Sequence, residues 1–175
     1  MSIRVTTDRF GDIAVDERTL LTMPSGIVGF PHATRFVILD HDRPALFKWL
    51  QAVDDPALAF VIMDPGDLSC EYRVMLQPQE LAELELQTLS DAVVFVILTL
   101  RGADPHGITA NLRGPVIVNE RTRFAKQLIL PDDLPTRFPV WSEPSIKRRE
   151  PGHVCAPVDL SGPRGFTQAC NRPDR

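Results

Sequence analysis

The feature that most constrains this chain is a period of two. Its apolar residues come in short runs or strict alternations, each closed by Gly, Pro, Asp or Asn, which is the signature of strands separated by tight turns. Ile3-Arg4-Val5-Thr6 and Ile13-Ala14-Val15-Asp16 alternate and are expected to pair through a turn holding Asp8 and Gly11. Leu20 to Met23 leads into Pro24-Ser25-Gly26, and Arg35 to Leu39 makes the next strand. Phe47 to Ala52 and Ala57 to Met63 flank Asp54-Asp55-Pro56 as a hairpin, which Asp64-Pro65-Gly66-Asp67 closes. There Pro fixes φ and Asp caps the turn. Glu71 to Leu76 alternates polar and apolar residues. Ala92 to Leu100 is apolar on both faces and is expected in a central position. Ile108 to Leu112, a Gly114-Pro115 turn, Val116 to Asn119 and a long final strand from Arg123 to Leu130 complete the pattern.

One helix interrupts the strands. Pro78 suits a first helical position, Glu80 and Glu83 follow in the early turns, and Leu81 and Leu84 share a face. Leu86 to Leu89 is expected to continue it irregularly. About ten short strands with one short helix and no βαβ alternation predict a mainly-β, antiparallel barrel or sandwich capped by a helix.

Beyond Trp141 the period is lost. Pro144, Pro151, Pro157, Pro163 and Pro173 punctuate a stretch containing Gly152, Gly162 and Gly165. The chain therefore divides into a domain over residues 1–141 and a flexible Pro/Gly-rich tail over residues 142–175. With 43% hydrophobic residues the body can bury a core. No apolar run approaches the ~20 residues that span a bilayer, and Met1 to Thr6 lacks a basic segment followed by an apolar one. A cytoplasmic location is the expectation.

The net charge of -4 is unevenly spread. Lys147, Arg148, Arg149, Arg164, Arg172 and Arg175 lie in the tail against Glu143, Glu150, Asp159 and Asp174, so the body carries six negative charges in excess. Such a body repels phosphate backbones and suits a basic protein partner better than a nucleic acid.

Motifs for catalysis are missing from the sequence. There is no phosphate-binding Gly-rich loop, no nucleophile elbow and no His-Glu-x-x-His. His32, His41, His106 and His153 have no second ligand at metal-binding spacing, and His41 between Asp40 and Asp42 reads as solvated turn polarity. Cys70 beside Tyr72 and Val74 reads as a free core thiol. Cys155 and Cys170, with His153, are too widely spaced for a zinc motif and read as a disulfide or two free thiols. No cofactor or metal is expected. The unusual cluster is Phe47, Trp49, Leu50 and Phe60 beside the Asp54-Asp55 corner, which serves either as core or as interface anchors.

That hairpin, PALFKWLQAVDDPALAFVIMD over residues 44–64, resembles the central signature of the flagellar assembly factor family, FliW. A second signature follows in order: Ile108-Thr109-Ala110-Asn111-Leu112, Pro115-Val116-Ile117-Val118-Asn119, then Lys126-Gln127. Phe10-Gly11-Asp12-Ile13 and the Pro24 to Phe30 segment also match. The resemblance runs from the N-terminus to about Trp141.

The resemblance implies a pseudo-barrel with a capping helix and a non-enzymatic role. It implies two protein partners, flagellin and the basic, RNA-binding translational repressor CsrA. Flagellin retained in the cell would occupy the factor, and its export would free the factor to antagonise CsrA and restore translation of flagellin mRNA. Alternatives are a flagellin chaperone or adaptor without CsrA control, and a small-molecule-binding barrel that keeps only the fold. Partner contacts are expected beside the turns of the two signatures, at Asp54, Asp55, Asp64, Asn111 and Asn119. Gly114, Arg113 and the tail are where this chain departs from the family pattern.

Overall fold

The computed structural model describes residues 1–40, 46–68, 70–102, 107–141 and 166–169. Its strands are β1 (Ser2–Thr7), β2 (Gly11–Asp16), β3 (Leu21–Thr22), β4 (Arg35–Asp40), β5 (Phe47–Ala52), β6 (Ala59–Met63) and β7 (Arg73–Leu76), followed by helix α1 (Pro78–Glu83). After the helix come β8 (Ala92–Thr99), β9 (Thr109–Asn119), β10 (Ala125–Gln127), β11 (Phe138–Pro139) and β12 (Phe166–Ala169). The mainly-β, antiparallel expectation is met, with twelve strands among the described residues against about ten anticipated.

The large sheet runs β10-β9-β8-β6-β5-β4-β3, with β11 also on β9. β8 lies inside it, as its two apolar faces required. The sheet curls until its ends meet. Thr22 of β3 forms a parallel bridge to Phe124, just before β10, and its N–H donates to the Arg123 carbonyl at 2.9 Å. This contact between the sheet's two ends is the physical content of the pseudo-barrel.

Because side chains alternate across a strand, the curled sheet has two apolar faces. The inner one gathers Leu21, Met23, Phe36, Leu50, Ile62, Phe95, Val116 and Val118. On the outer one Met63, Val94, Val96, Leu98, Ala110, Leu112 and Ile117 are covered by Tyr72, Val74 and Leu76 near or in β7, by Leu84 after α1, and by Val140. The β1–β2 hairpin packs Val5 and Val15 against Val37 of β4.

Two strand expectations need correction. Gly114-Pro115 does not end a strand; β9 runs through it. The register slips between the pairs Phe95↔Val116 and Ile97↔Asn111, so Ala110 and Leu112 face the outer core while Val116 and Val118 face the inner one. The slipped segment finds new partners: the Leu128 N–H donates to the Pro115 carbonyl and the Leu130 N–H to the Arg113 carbonyl, each at 2.8 Å. Consequently the second expectation, a long strand over Arg123 to Leu130, shrinks to a ladder over Ala125–Gln127 with irregular continuation.

Helix α1 opens with the Glu80 carboxylate accepting from the Gln77 N–H at 2.7 Å, a capping interaction that satisfies a free donor. It ends before Glu85, which takes a left-handed φ of 52°, so Leu86 to Leu89 does not extend it. The expected flexibility of the tail falls on residues outside the described set, apart from β12, which pairs antiparallel with β7.

Candidate partner-binding surface

The five residues expected at partner contacts do not form one patch. Asp54 and Asp55 occupy the β5–β6 turn. Asp64 follows the opposite end of β6, Asn111 lies inside β9, and Asn119 closes β9.

Asp54 is held by Arg35 of β4, whose Nε donates to Asp54 Oδ2 at 2.9 Å and whose Nη2 meets Oδ1. The Arg35 hydrogen bonds hold its carboxyl below the usual carboxylate range. Asp55 Oδ1 accepts from the Ala57 N–H at 3.1 Å, and Asp64 Oδ1 accepts from the Gly66 N–H at 2.8 Å to cap a short 3-10 turn over Pro65–Asp67. Each of these carboxylates therefore has a local role in its turn. Asp55 remains exposed. The Asp8 N–H donates to the Pro56 carbonyl at 3.0 Å, which brings the β1–β2 turn against the same corner. Since Arg35 offsets Asp54, the uncompensated carboxylates at this corner are Asp8 and Asp55, among the described residues.

The two asparagines work inward. Asn111 Oδ1 accepts from the N–H groups of Arg113 and Gly114, both at 3.1 Å, and so shapes the β9 irregularity. Asn119 is fully buried. Its Nδ2 donates to the carbonyls of Leu84 at 2.9 Å and Glu85 at 3.1 Å. Its Oδ1 accepts from the N–H groups of Arg121 at 2.9 Å and Thr122 at 3.2 Å. A side chain with no exposed surface influences a partner only through the elements it joins, here the end of α1 and the turn into β10.

The aromatic cluster beside the hairpin packs against its neighbours, with Phe47, Trp49 and Phe60 half-buried. Leu50 is fully buried. Trp49 is roofed by the Arg9 guanidinium, 4.2 Å above its ring, and edged by Phe10. Phe60 sits between Phe30 and Phe36, and Phe47 meets Trp141. Gln51 is the residue that the sequence reading passed over: fully buried, it donates from Nε2 to the carbonyls of Ala52, Asp55 and Leu58 at 3.0–3.1 Å and so fixes the turn that presents Asp55.

Exposed apolar surface lies elsewhere. Val28 is 65% exposed, Phe30 43% and Ile129 73%. Gln127 Oε1 accepts from the Val28 N–H at 2.9 Å, and Ile129 shares the side of the extended chain opposite buried Leu128. These residues flank the line where the two ends of the sheet come together, and no sequence period marks them. A cleft of about 530 Å³ is lined by Arg18, Arg35, Arg123, Glu17, Thr22 and Thr122 among others, so it includes residues of the same end-to-end contact. No group of three or more His, Cys, Asp or Glu among the described residues is arranged to hold a metal. Nor is any described helix long and apolar enough to cross a membrane.

Comparison with known proteins places this architecture. The family model described as FliW protein matches residues 4–140. The chain is 35% identical over 129 residues to the flagellar assembly factor FliW of Leptospira interrogans, covering 74% of this chain and 86% of that one. The factor of Natranaerobius thermophilus is 33% identical over 148 residues, covering 84% of this chain and 98% of the relative, and that of Geobacter sulfurreducens 35% over 150 residues, covering 86% and 93%. A crystal structure of the flagellar assembly factor FliW superposes with a TM-score of 0.74 at 31% identity, over 80% of this chain and 98% of the other. With family model, relatives and fold in agreement over the same residues, the chain belongs to the FliW family of flagellar assembly factors.

Proposed function

We infer that this chain is a non-enzymatic, cytoplasmic partner switch that binds flagellin and the translational repressor CsrA in competition. In this reading flagellin, while retained in the cell, keeps the factor occupied. Its export frees the factor to bind CsrA and relieve repression of flagellin mRNA. The observation that carries the reading is the charge of the body. Six negative charges in excess over residues 1–141, with Asp8 and Asp55 uncompensated at the rigid β5–β6 corner, complement a basic RNA-binding surface and oppose direct nucleic-acid binding. The polar side chains of both signatures support it too, because they hold turns and strand ends and do not converge as an acid–base or nucleophile constellation would.

The test is calorimetry of the full chain with each partner, alone and with the other at saturation. Competition requires that flagellin weaken CsrA binding and that CsrA weaken flagellin binding by the same factor. Simultaneous binding with unchanged affinities would instead make the chain a flagellin chaperone or adaptor. Binding of neither protein would overturn the reading.

A further inference from the structure

β7 is a strand that buries alternate side chains and whose backbone stands apart from the large sheet. Val74 and Leu76 are buried in the outer core, which locks the strand's position. Yet β7 has no place in the large sheet. Among the described residues its only ladder partner is β12, in the register Phe166↔Leu76, Thr167↔Met75, Gln168↔Val74 and Ala169↔Arg73. No other backbone hydrogen bond among the described residues engages Arg73 to Leu76. A core-anchored strand with an open row of N–H and C=O groups is a template for a further strand. The strand found there comes from beyond residues 4–140, the stretch matched by the family.

We propose that the β7 edge is a peptide-binding surface for extended segments, and that Phe166–Ala169 is its tethered occupant, docked in cis. Backbone pairing supplies the affinity, and the register above fixes the direction. Covalent connection makes the pairing intramolecular, so a free peptide competes against an effective concentration on the order of millimolar. An extended segment of another protein gains this edge only by displacing Phe166–Ala169.

The experiment uses the full chain and a fluorescent synthetic peptide of residues 163–171 under reducing conditions. It compares the native sequence with the double variant Thr167→Pro/Gln168→Pro, which removes the one N–H of this pair that faces β7 along with its neighbour's, and leaves the body untouched. The variant is expected to bind the peptide at least tenfold more tightly than the native chain. Hydrogen exchange at Arg73 to Leu76 is expected to be at least tenfold faster in the variant and to slow again when peptide is added. Equal peptide affinity for both chains, or binding to neither, overturns the proposal. So does protection of β7 that fades on dilution together with a dimer, because the strand would then dock between copies.

Discussion

The carboxamide oxygen of Gln127 accepts a hydrogen bond from the backbone N–H of Val28 at 2.9 Å, across 99 residues of sequence. Its Nε2 donates to the Gly114 carbonyl at 3.1 Å. One side chain thus ties the loop after β3 to the irregularity of β9, beside the bridge between Thr22 and Phe124. A Cβ at Gly114 would lie 2.9 Å from both Gln127 Nε2 and Asn111 Nδ2, so the glycine makes room for this arrangement.

Gln127→Ala is therefore expected to cost about 1–2 kcal/mol, the range for losing partly buried hydrogen bonds. Gly114→Ala should destabilise as well, since it displaces both amides. The two changes share a contact and should fall short of additivity in the double variant. Urea denaturation of the four proteins measures this. Strict additivity would show that Gly114 and Gln127 act independently.

Tyr72 is the single tyrosine of the chain, so its ionisation can be followed without interference. It is buried, its hydroxyl donates to the Leu112 carbonyl at 2.5 Å, and burial pushes its pKa well above the ordinary phenol value. The folded protein should show no tyrosinate absorbance through pH 10, whereas the urea-unfolded chain titrates near ~10. The linkage follows in sign. Because the folded pKa is the higher one, this contribution to stability is complete below the unfolded pKa and declines as pH rises toward the folded value. Tyr72→Phe should remove that alkaline decline, which denaturation midpoints across pH 8 to 11 would reveal.

If the acidic corner steers a basic repressor, association should slow as salt rises, because exposed charges are screened within ~8 Å at physiological ionic strength. Asp54→Lys/Asp55→Lys should slow it further. Beyond reversing two charges, the first change releases Arg35 from its ion pair. The dissociation rate should change far less. Stopped-flow on-rates that ignore both salt and the substitutions would remove this corner from the docking surface.

Truncation after Trp141 is expected to leave the melting temperature within a few degrees of the full chain. The family match ends at residue 140, and β12 contributes only a four-residue pairing. Calorimetric melts decide this. A large drop, or an insoluble product, would mean that the body depends on its extension.

The hairpins were legible because their signals are local: alternation in β1, β2 and β7, and Asp-Pro turns after β5 and β6. Gly114-Pro115 misled for the same reason. The dipeptide favours a turn, but the distant N–H groups of Leu128 and Leu130 hold it extended, and no local pattern announces that. The long strand read over Arg123 to Leu130 failed with it, since its partner is the slipped part of β9. Asn119 looked like a surface residue at a strand end, and its burial depends on where α1 places two carbonyls. The contact between Thr22 and Phe124 is equally non-local, so a barrel or sandwich could be read from the sequence but not the line along which the sheet meets itself.

The bond from Asn119 to the Leu84 carbonyl spans 35 residues, and this has a consequence during synthesis. Helix α1 covers only Pro78–Glu83, too short to persist on its own in water. The amide that satisfies its end is made later. At ~5–20 residues per second the ribosome takes roughly 2–7 s to reach Asn119 from Leu84. Through that interval Leu84, destined for the outer core, has neither its neighbours from β9 nor its partner amide. The nascent chain thus passes through a stage with β4, β5 and β6 complete and an uncovered apolar face, and chaperone capture should peak there and fall once Asn119 emerges.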